Sequence, residues 1–153
     1  MAKKAIWPLI GTNLESNTTI LRYNYSSLTT PYSVIDFHME THHREIKKEQ
    51  KVLDGNFDKK NYVSERIWSP AQDGQNIPVS LVYRKDTERS ASTPLLLYGY
   101  GSYGYTIDPC FSSLRLSLLD RGFIFAIAHV RGGQYLGRSW YEDGKLLKKT
   151  KYF

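Results

Sequence analysis

Three stretches of this sequence carry residue types that do chemistry. Gly99-Tyr100-Gly101-Ser102-Tyr103-Gly104 follows an apolar run and has the spacing G-x-G-x-x-G. In a dinucleotide site such glycines let the backbone approach a pyrophosphate seated on the N-terminus of a helix that opens within the loop. Here Tyr105-Thr106-Ile107-Asp108-Pro109 separates the glycines from the next helix signal. A second apolar run ends in Arg131, where a ribose would want Asp or Glu; an arginine suits a 2′-phosphate instead. A glycine-rich structural turn is favoured, and an NADP site stays open beside it.

Ser102 is the one serine set among loop glycines. A nucleophile elbow needs G-x-S-x-G, and position 100 is tyrosine, so the pattern fails. No other serine has that surrounding, and no Ser/His/Asp triad can be assembled. The histidines are His38, His42, His43 and His129. The first three read as solvated residues of a strand and turn, with no carboxylate or thiolate completing a metal set. His129 falls in an apolar run and reads as a core residue with its hydrogen bond satisfied. No metal and no cofactor are expected. The single cysteine, Cys110, leaves no internal disulfide and no cysteine-rich zinc site. Asn17-Thr18-Thr19 and Asn24-Tyr25-Ser26 match the glycosylation pattern, which means little without a secretory signal.

The elements that must position these residues fall into two groups. Thr18 to Tyr25 and Tyr32 to Met39 alternate in character and are rich in β-branched and aromatic residues, with turn chemistry from Ser26 to Pro31. Glu40-Thr41-His42-His43 is a polar hairpin, and Arg44 to Val52 is a weak third strand. Such short antiparallel strands suit a propeller blade or a corner of a sandwich. From Asn61 the character changes. Tyr62 to Ser69 and Ile77 to Tyr83 are hairpin partners around Asp73-Gly74-Gln75. Leu95 to Tyr100 and Phe123 to Val130 are continuous apolar runs, as strands buried on both faces are. Between them the sequence predicts a helix over Pro109–Arg121, capped by Asp108, with Phe111, Leu114 and Leu118 on the buried stripe, Leu116 and Leu119 widening it, and Gly122 as the stop. Strand, helix, strand is a crossover, which makes the two strands parallel. Arg131-Gly132-Gly133 then lies at a strand's carboxyl end, where α/β sheets place ligands.

Composition narrows the function classes. A chain of 153 residues has room for about one domain. Aromatics at 14% argue against disorder. No run of ~18 apolar residues spans a membrane. The net charge of +6 invites a nucleic-acid reading, but Lys47-Lys48, Lys59-Lys60 and Lys148-Lys149 are scattered beside acids and element ends, as ordinary solvated charge is. Neither nucleic acid nor membrane is an expected partner. A sheet of so few strands leaves edges uncovered, so the chain reads as a piece of something larger.

Taken together, several stretches resemble the oligopeptidase B branch of the prolyl oligopeptidase family. They are Tyr23-x-Tyr25-Ser26-Ser27-Leu28-Thr29-Thr30-Pro31, Val79 to Lys85, Leu96 to Gly104, Arg115 to Gly122, Ala128-His129-Val130-Arg131-Gly132-Gly133 and Gly137 to Lys145. The resemblance covers roughly residues 15–150, in the family's order. It implies a serine peptidase with a β-propeller cap and an α/β-hydrolase domain, cutting short peptides after Lys or Arg. On that footing, residues 1–60 are the end of a β-propeller-like region and residues 61–153 the leading part of an α/β-hydrolase sheet, an incomplete domain. The resemblance makes the glycines a loop rather than an NADP site. It assigns Tyr100 as an oxyanion-hole donor and puts the catalytic Ser, Asp and His beyond residue 153. The implied partners are short basic peptides and the implied location is the cytoplasm. The expected function is a fragment of such a peptidase, inactive alone; the alternative is a non-catalytic binding module derived from one.

Overall fold

In the computed structural model, residues 6–53 and 57–151 are described. They form two sheets. The first is an antiparallel meander of β1 (Ile6–Ile10), β2 (Ile20–Ser27), β3 (Thr30–His38) and β4 (Arg44–Glu49), paired in chain order. Alternation drives it: on β3, Pro31, Ser33 and Ile35 are buried while the residues between them are not. β4 is exposed along its whole length, which fits its Lys and Glu content. β1 carries Pro8, a residue without an N–H to donate, and stands at the sheet edge where that is tolerated. The β2–β3 turn is tied by the Ser27 hydroxyl, which accepts from the Thr30 N–H at 3.1 Å. That turn pushes Leu28 away from its own sheet into the core of the second.

The second sheet has the order β5-β6-β8-β7: β5 (Tyr62–Pro70), β6 (Asn76–Arg84), β7 (Leu95–Tyr98) and β8 (Ile124–Ala128). β5 and β6 are the expected hairpin. β6 runs antiparallel to β8, and β7 runs parallel to β8 in the register Leu95↔Ile124 to Tyr98↔Ile127. The expected parallel crossover is therefore present. β6 is buried from Ile77 to Tyr83 because both its faces are covered. One face packs Val79, Leu81 and Tyr83 against Ala126, Ala128, Val130 and Trp140. The other packs Val82 and Ile127 against Leu28, Tyr62, Leu116 and Leu119.

Three expectations are corrected. The crossover helix α1 spans Ser113–Leu119, not Pro109–Arg121, and its N-cap is Ser112 rather than Asp108. The Phe111 N–H is drawn off to the Ser26 hydroxyl of the first sheet at 3.1 Å, and the Phe111 ring packs edge-on against Phe57 at 5.1 Å. These long-range contacts hold Phe111 out of the helix, and Ser112 is extended, so the helix starts late. The buried stripe is also rotated: Leu116 and Leu119 are buried, whereas Leu114 is 86% exposed. Lastly, β7 is not covered on both faces. Leu97 is 55% exposed because β7 is the last strand of its sheet among the described residues. The helix end follows expectation, with Arg121 Nε donating to the Ser117 carbonyl at 2.8 Å. Short α2 (Arg138–Glu142) buries Trp140 against the sheet.

The rotated stripe makes a direct test. Leu119, 1% exposed, should cost ~2–5 kcal/mol when cut to alanine, because the cavity cannot fully collapse. Leu114→Ala should stay within ~0.5 kcal/mol of the parent. Urea unfolding midpoints of the two variants check this; equal losses would put the stripe back where the sequence periodicity has it.

Candidate functional site

The parallel pair β7–β8 sends two loops out from the same end of the sheet. Residues 99–105 leave β7, and residues 129–133 leave β8. The loops lock together. Gly104 N–H donates to the Gly132 carbonyl at 2.8 Å, and Gly132 N–H donates to the Trp140 carbonyl at 3.0 Å. Gly101 sits at φ +62°, and a β-carbon there would meet Val130 Cγ2 at 2.6 Å and the Arg131 carbonyl oxygen at 2.9 Å. Only a residue without a side chain lets the first loop lie this close to the second. The chain after Ser102 turns and enters no helix before Ser113, so Ser102 is not on an elbow.

Tyr100 stands just past the carboxyl end of β7. Its ring is 48% exposed and meets Tyr105 edge-on at 6.0 Å. No hydrogen bond within the described residues occupies its hydroxyl. With Tyr98, Tyr103, Tyr105 and Ile107 it lines a shallow aromatic crevice. A phenol so placed can donate one hydrogen bond to a group entering the crevice.

A buried polar cluster underlies this loop end. His129 is 4% exposed, as expected of a core histidine. Its Nε2 is 2.8 Å from the Ser80 hydroxyl, and its ring stacks on Tyr135 with centroids 3.6 Å apart. Arg66 reaches the same spot, donating to the Tyr135 hydroxyl and, at 3.5 Å, to Ser80 Oγ. Burial, and secondarily the charge of Arg66, push the His129 pKa from 6.5 down to about 4. The imidazole is therefore neutral at neutral pH. Burial raises the Tyr135 phenol, so it too stays uncharged. His129 Nδ1 has no protein partner among the described residues, so the expected satisfaction is half met.

Arg131, 3% exposed, pairs with Asp73 in the β5–β6 turn, with Nη2 to Oδ1 at 3.3 Å. Its guanidinium lies 5.9 Å from the Trp140 ring centroid. This closes the NADP alternative: the cation that would meet a 2′-phosphate is buried against a carboxylate. His38 meets Thr19 and His42 stacks on Phe37, both away from this site. Among the described residues, no three His, Cys, Asp or Glu side chains gather as metal ligands.

Sequence reasoning missed Ser80, Arg66 and Tyr135, and gave Arg131 no partner. A signal was present: a histidine and an arginine at the end of an apolar strand must be paired when buried. The partners lie ~50–60 positions away in the chain, and no local pattern names them.

The sequence model of the prolyl oligopeptidase family matches residues 109–153. Dipeptidyl aminopeptidase BI of Pseudoxanthomonas mexicana is 49% identical over 145 residues, which are 94% of this chain and 20% of that protein. Oligopeptidase B of Leishmania major superposes with a TM-score of 0.85 at 44% identity, covering 100% of this chain and 22% of the other. Oligopeptidase B of Trypanosoma brucei, solved with covalently bound antipain, gives 0.86 at 42% identity, covering 99% and 22%. Over nearly its whole length the chain is similar to members of the prolyl oligopeptidase family. It spans about a fifth of the length of these relatives. Its meander and its mixed sheet match parts of the propeller and of the peptidase domain of family members.

The neutral histidine carries a pH signature. The unfolded chain takes up a proton on His129 near pH 6.5, the folded protein only near pH 4. Stability from this site is thus complete above about pH 6.5 and falls as pH drops toward 4, where the loss levels off. The full loss should be on the order of 3 kcal/mol. Unfolding midpoints measured from pH 7.5 to 4 should show this slope in the parent and a shallower one in His129→Gln. Parallel slopes would mean that the ring is protonated without penalty.

Proposed function

We propose that this chain is a segment of a serine-type oligopeptidase and contributes an oxyanion-hole donor, Tyr100, to its active site. Residues 1–60 would be the closing strands of the β-propeller and residues 61–153 the opening of the peptidase domain. The observation that carries the reading is the Tyr100 hydroxyl, unclaimed by any described residue at the carboxyl end of a parallel strand pair. Family resemblance supports the rest: cleavage of short peptides after Lys or Arg, a cytoplasmic location, and a Ser/Asp/His triad supplied outside this chain. Among the described residues no helix is long and apolar enough to cross a membrane.

The chemistry is direct. When a serine attacks a peptide carbonyl, the C=O bond becomes a C–O⁻ bond and negative charge gathers on oxygen. A phenolic O–H aimed at that oxygen donates more strongly to the anion than to the neutral carbonyl. Such a donor is worth ~3 kcal/mol in the transition state. Tyr100 sits on a loop pinned by backbone contacts, so it pays little to reorganise.

Two outcomes follow. In the full-length peptidase carrying this sequence, Tyr100→Phe should lower kcat by roughly 10²–10³-fold with little change in KM and little change in melting temperature. A purely structural tyrosine would instead lose ~1 kcal/mol of stability and keep normal turnover. The 153-residue chain alone should not hydrolyse an Arg or Lys amide, since it has no elbow serine. Cleavage by pure chain, blocked by a serine-directed covalent inhibitor, would contradict this and make Ser102 the first residue to replace.

A further inference from the structure

The Tyr100 loop has little of its own to hold it. The tyrosine ring is half exposed, with one aromatic neighbour on edge. What fixes the loop is the backbone of the β8 loop. Gly99 lies against the Ala128 carbonyl, Gly101 against Val130 and the Arg131 carbonyl, and Gly104 donates to Gly132. The placement of the phenol is therefore inherited from residues 128–132.

That second loop is in turn gripped from behind. Gly144 packs flat on the Arg131–Gly132 peptide, where a β-carbon would overlap the Gly132 nitrogen and the Arg131 carbonyl carbon. Trp140 holds both sides of the segment, donating from its indole to the His129 carbonyl at 2.9 Å and accepting from Gly132 N–H at 3.0 Å. The side-chain anchor is Arg131, turned inward to Asp73 on a different hairpin. An arginine buried in this way is costly unless paired, and an apolar residue of similar volume would fill the space at least as well. What the ion pair adds is direction: a forked guanidinium facing a carboxylate allows few orientations of the Arg131 backbone.

We infer that Arg131 and Asp73 are positioning residues for the oxyanion donor, holding the β8 loop so that the Tyr100 hydroxyl stays aimed at the reacting carbonyl. The inference rests on the reading of Tyr100 as that donor. Neither residue touches substrate. Their effect passes through the Arg131–Gly132 backbone to Gly101 and Gly104, and so to Tyr100. The chemistry they serve is worth no more than the donor itself, which sets the ceiling of any loss they can cause.

The test is a double-mutant cycle in the full-length peptidase, with kcat referred to titrated active sites. Arg131→Met should lower kcat by ~10–100-fold, the scale of a donor displaced by about an ångström, with KM moved less than ~3-fold. Asp73→Asn should act in the same direction, and Arg131→Lys should restore part of the rate. In the Tyr100→Phe background, Arg131→Met should cost less than ~3-fold more, because the group being positioned is gone. Multiplying effects, or normal kcat in the Arg131 and Asp73 variants beside a crippled Tyr100→Phe, overturn the positioning claim alone. Normal kcat in Tyr100→Phe overturns the donor reading and this inference with it. If Arg131→Met does not fold, Asp73→Asn, whose change lies on a part-exposed turn, completes the same cycle and decides it.

Discussion

The parallel pairing of β7 with β8 is the constraint on which the rest depends. Parallel strands put both carboxyl ends on one side of the sheet, so the loops that leave them must share the same small volume. Two loops can do so only if their backbones come within van der Waals contact. The glycines at 101 and 144 are the consequence: each removes a side chain where another peptide passes. Once the loops are interlocked, the side chains between the glycines have nowhere to go but outward. Tyr100, Tyr103 and Tyr105 are therefore exposed because of the packing beneath them, and the aromatic crevice follows from the strand pairing.

The same logic explains why the first sheet matters to the second. Leu28, from a turn of the meander, fills the core around Val82, Leu116 and Leu119. Ser26 takes the Phe111 N–H, and Phe57 stacks on Tyr62 and meets Phe111 edge-on. The segment entering α1 is thus shaped by the meander. The helix is only Ser113–Leu119, too short to be stable by propensity, and it persists through Leu116 and Leu119 docked on β6 and β8.

This division decides what could be read in advance. The β5–β6 hairpin, the crossover and the parallel pair follow from local patterns: alternation, turn residues, apolar runs and a glycine stop. Each is written within about a dozen residues. The start of α1 is not, because the hydrogen bond that delays it comes from Ser26, 85 positions away. Leu114 is exposed because α1 docks through Leu116 and Leu119 onto β6 and β8, which only the tertiary packing decides. The openness of β7 depends on which strand lies beside it, and an apolar run looks the same at an edge as in the middle of a sheet. At the site, the reading of Tyr100 as a donor comes only from resemblance to a family, since the spacing around it fits a dinucleotide turn equally well. His129 and Arg131 were legible as residues needing partners; Ser80 and Asp73 were not, because strand pairing and hairpin geometry bring them there.

The polar cluster under the crevice has a further electrostatic property. Arg131 is offset by Asp73, but Arg66 has no carboxylate partner among the described residues. Its charge is held against the ring and hydroxyl of Tyr135 and against Ser80. His129 registers that charge, since Arg66 is one of the two causes that keep it neutral. Neutrality matters here, because a second cation beside Arg66 would repel it and loosen the cluster. Two hydroxyl acceptors and an aromatic face offset part of the cost of desolvating the guanidinium, while its Nε has no partner among the described residues. The result is a fixed positive charge beside His129, held by Tyr135 and Ser80. Strand pairing sets the position of the Tyr100 loop, and burial together with the charge of Arg66 keeps His129 neutral.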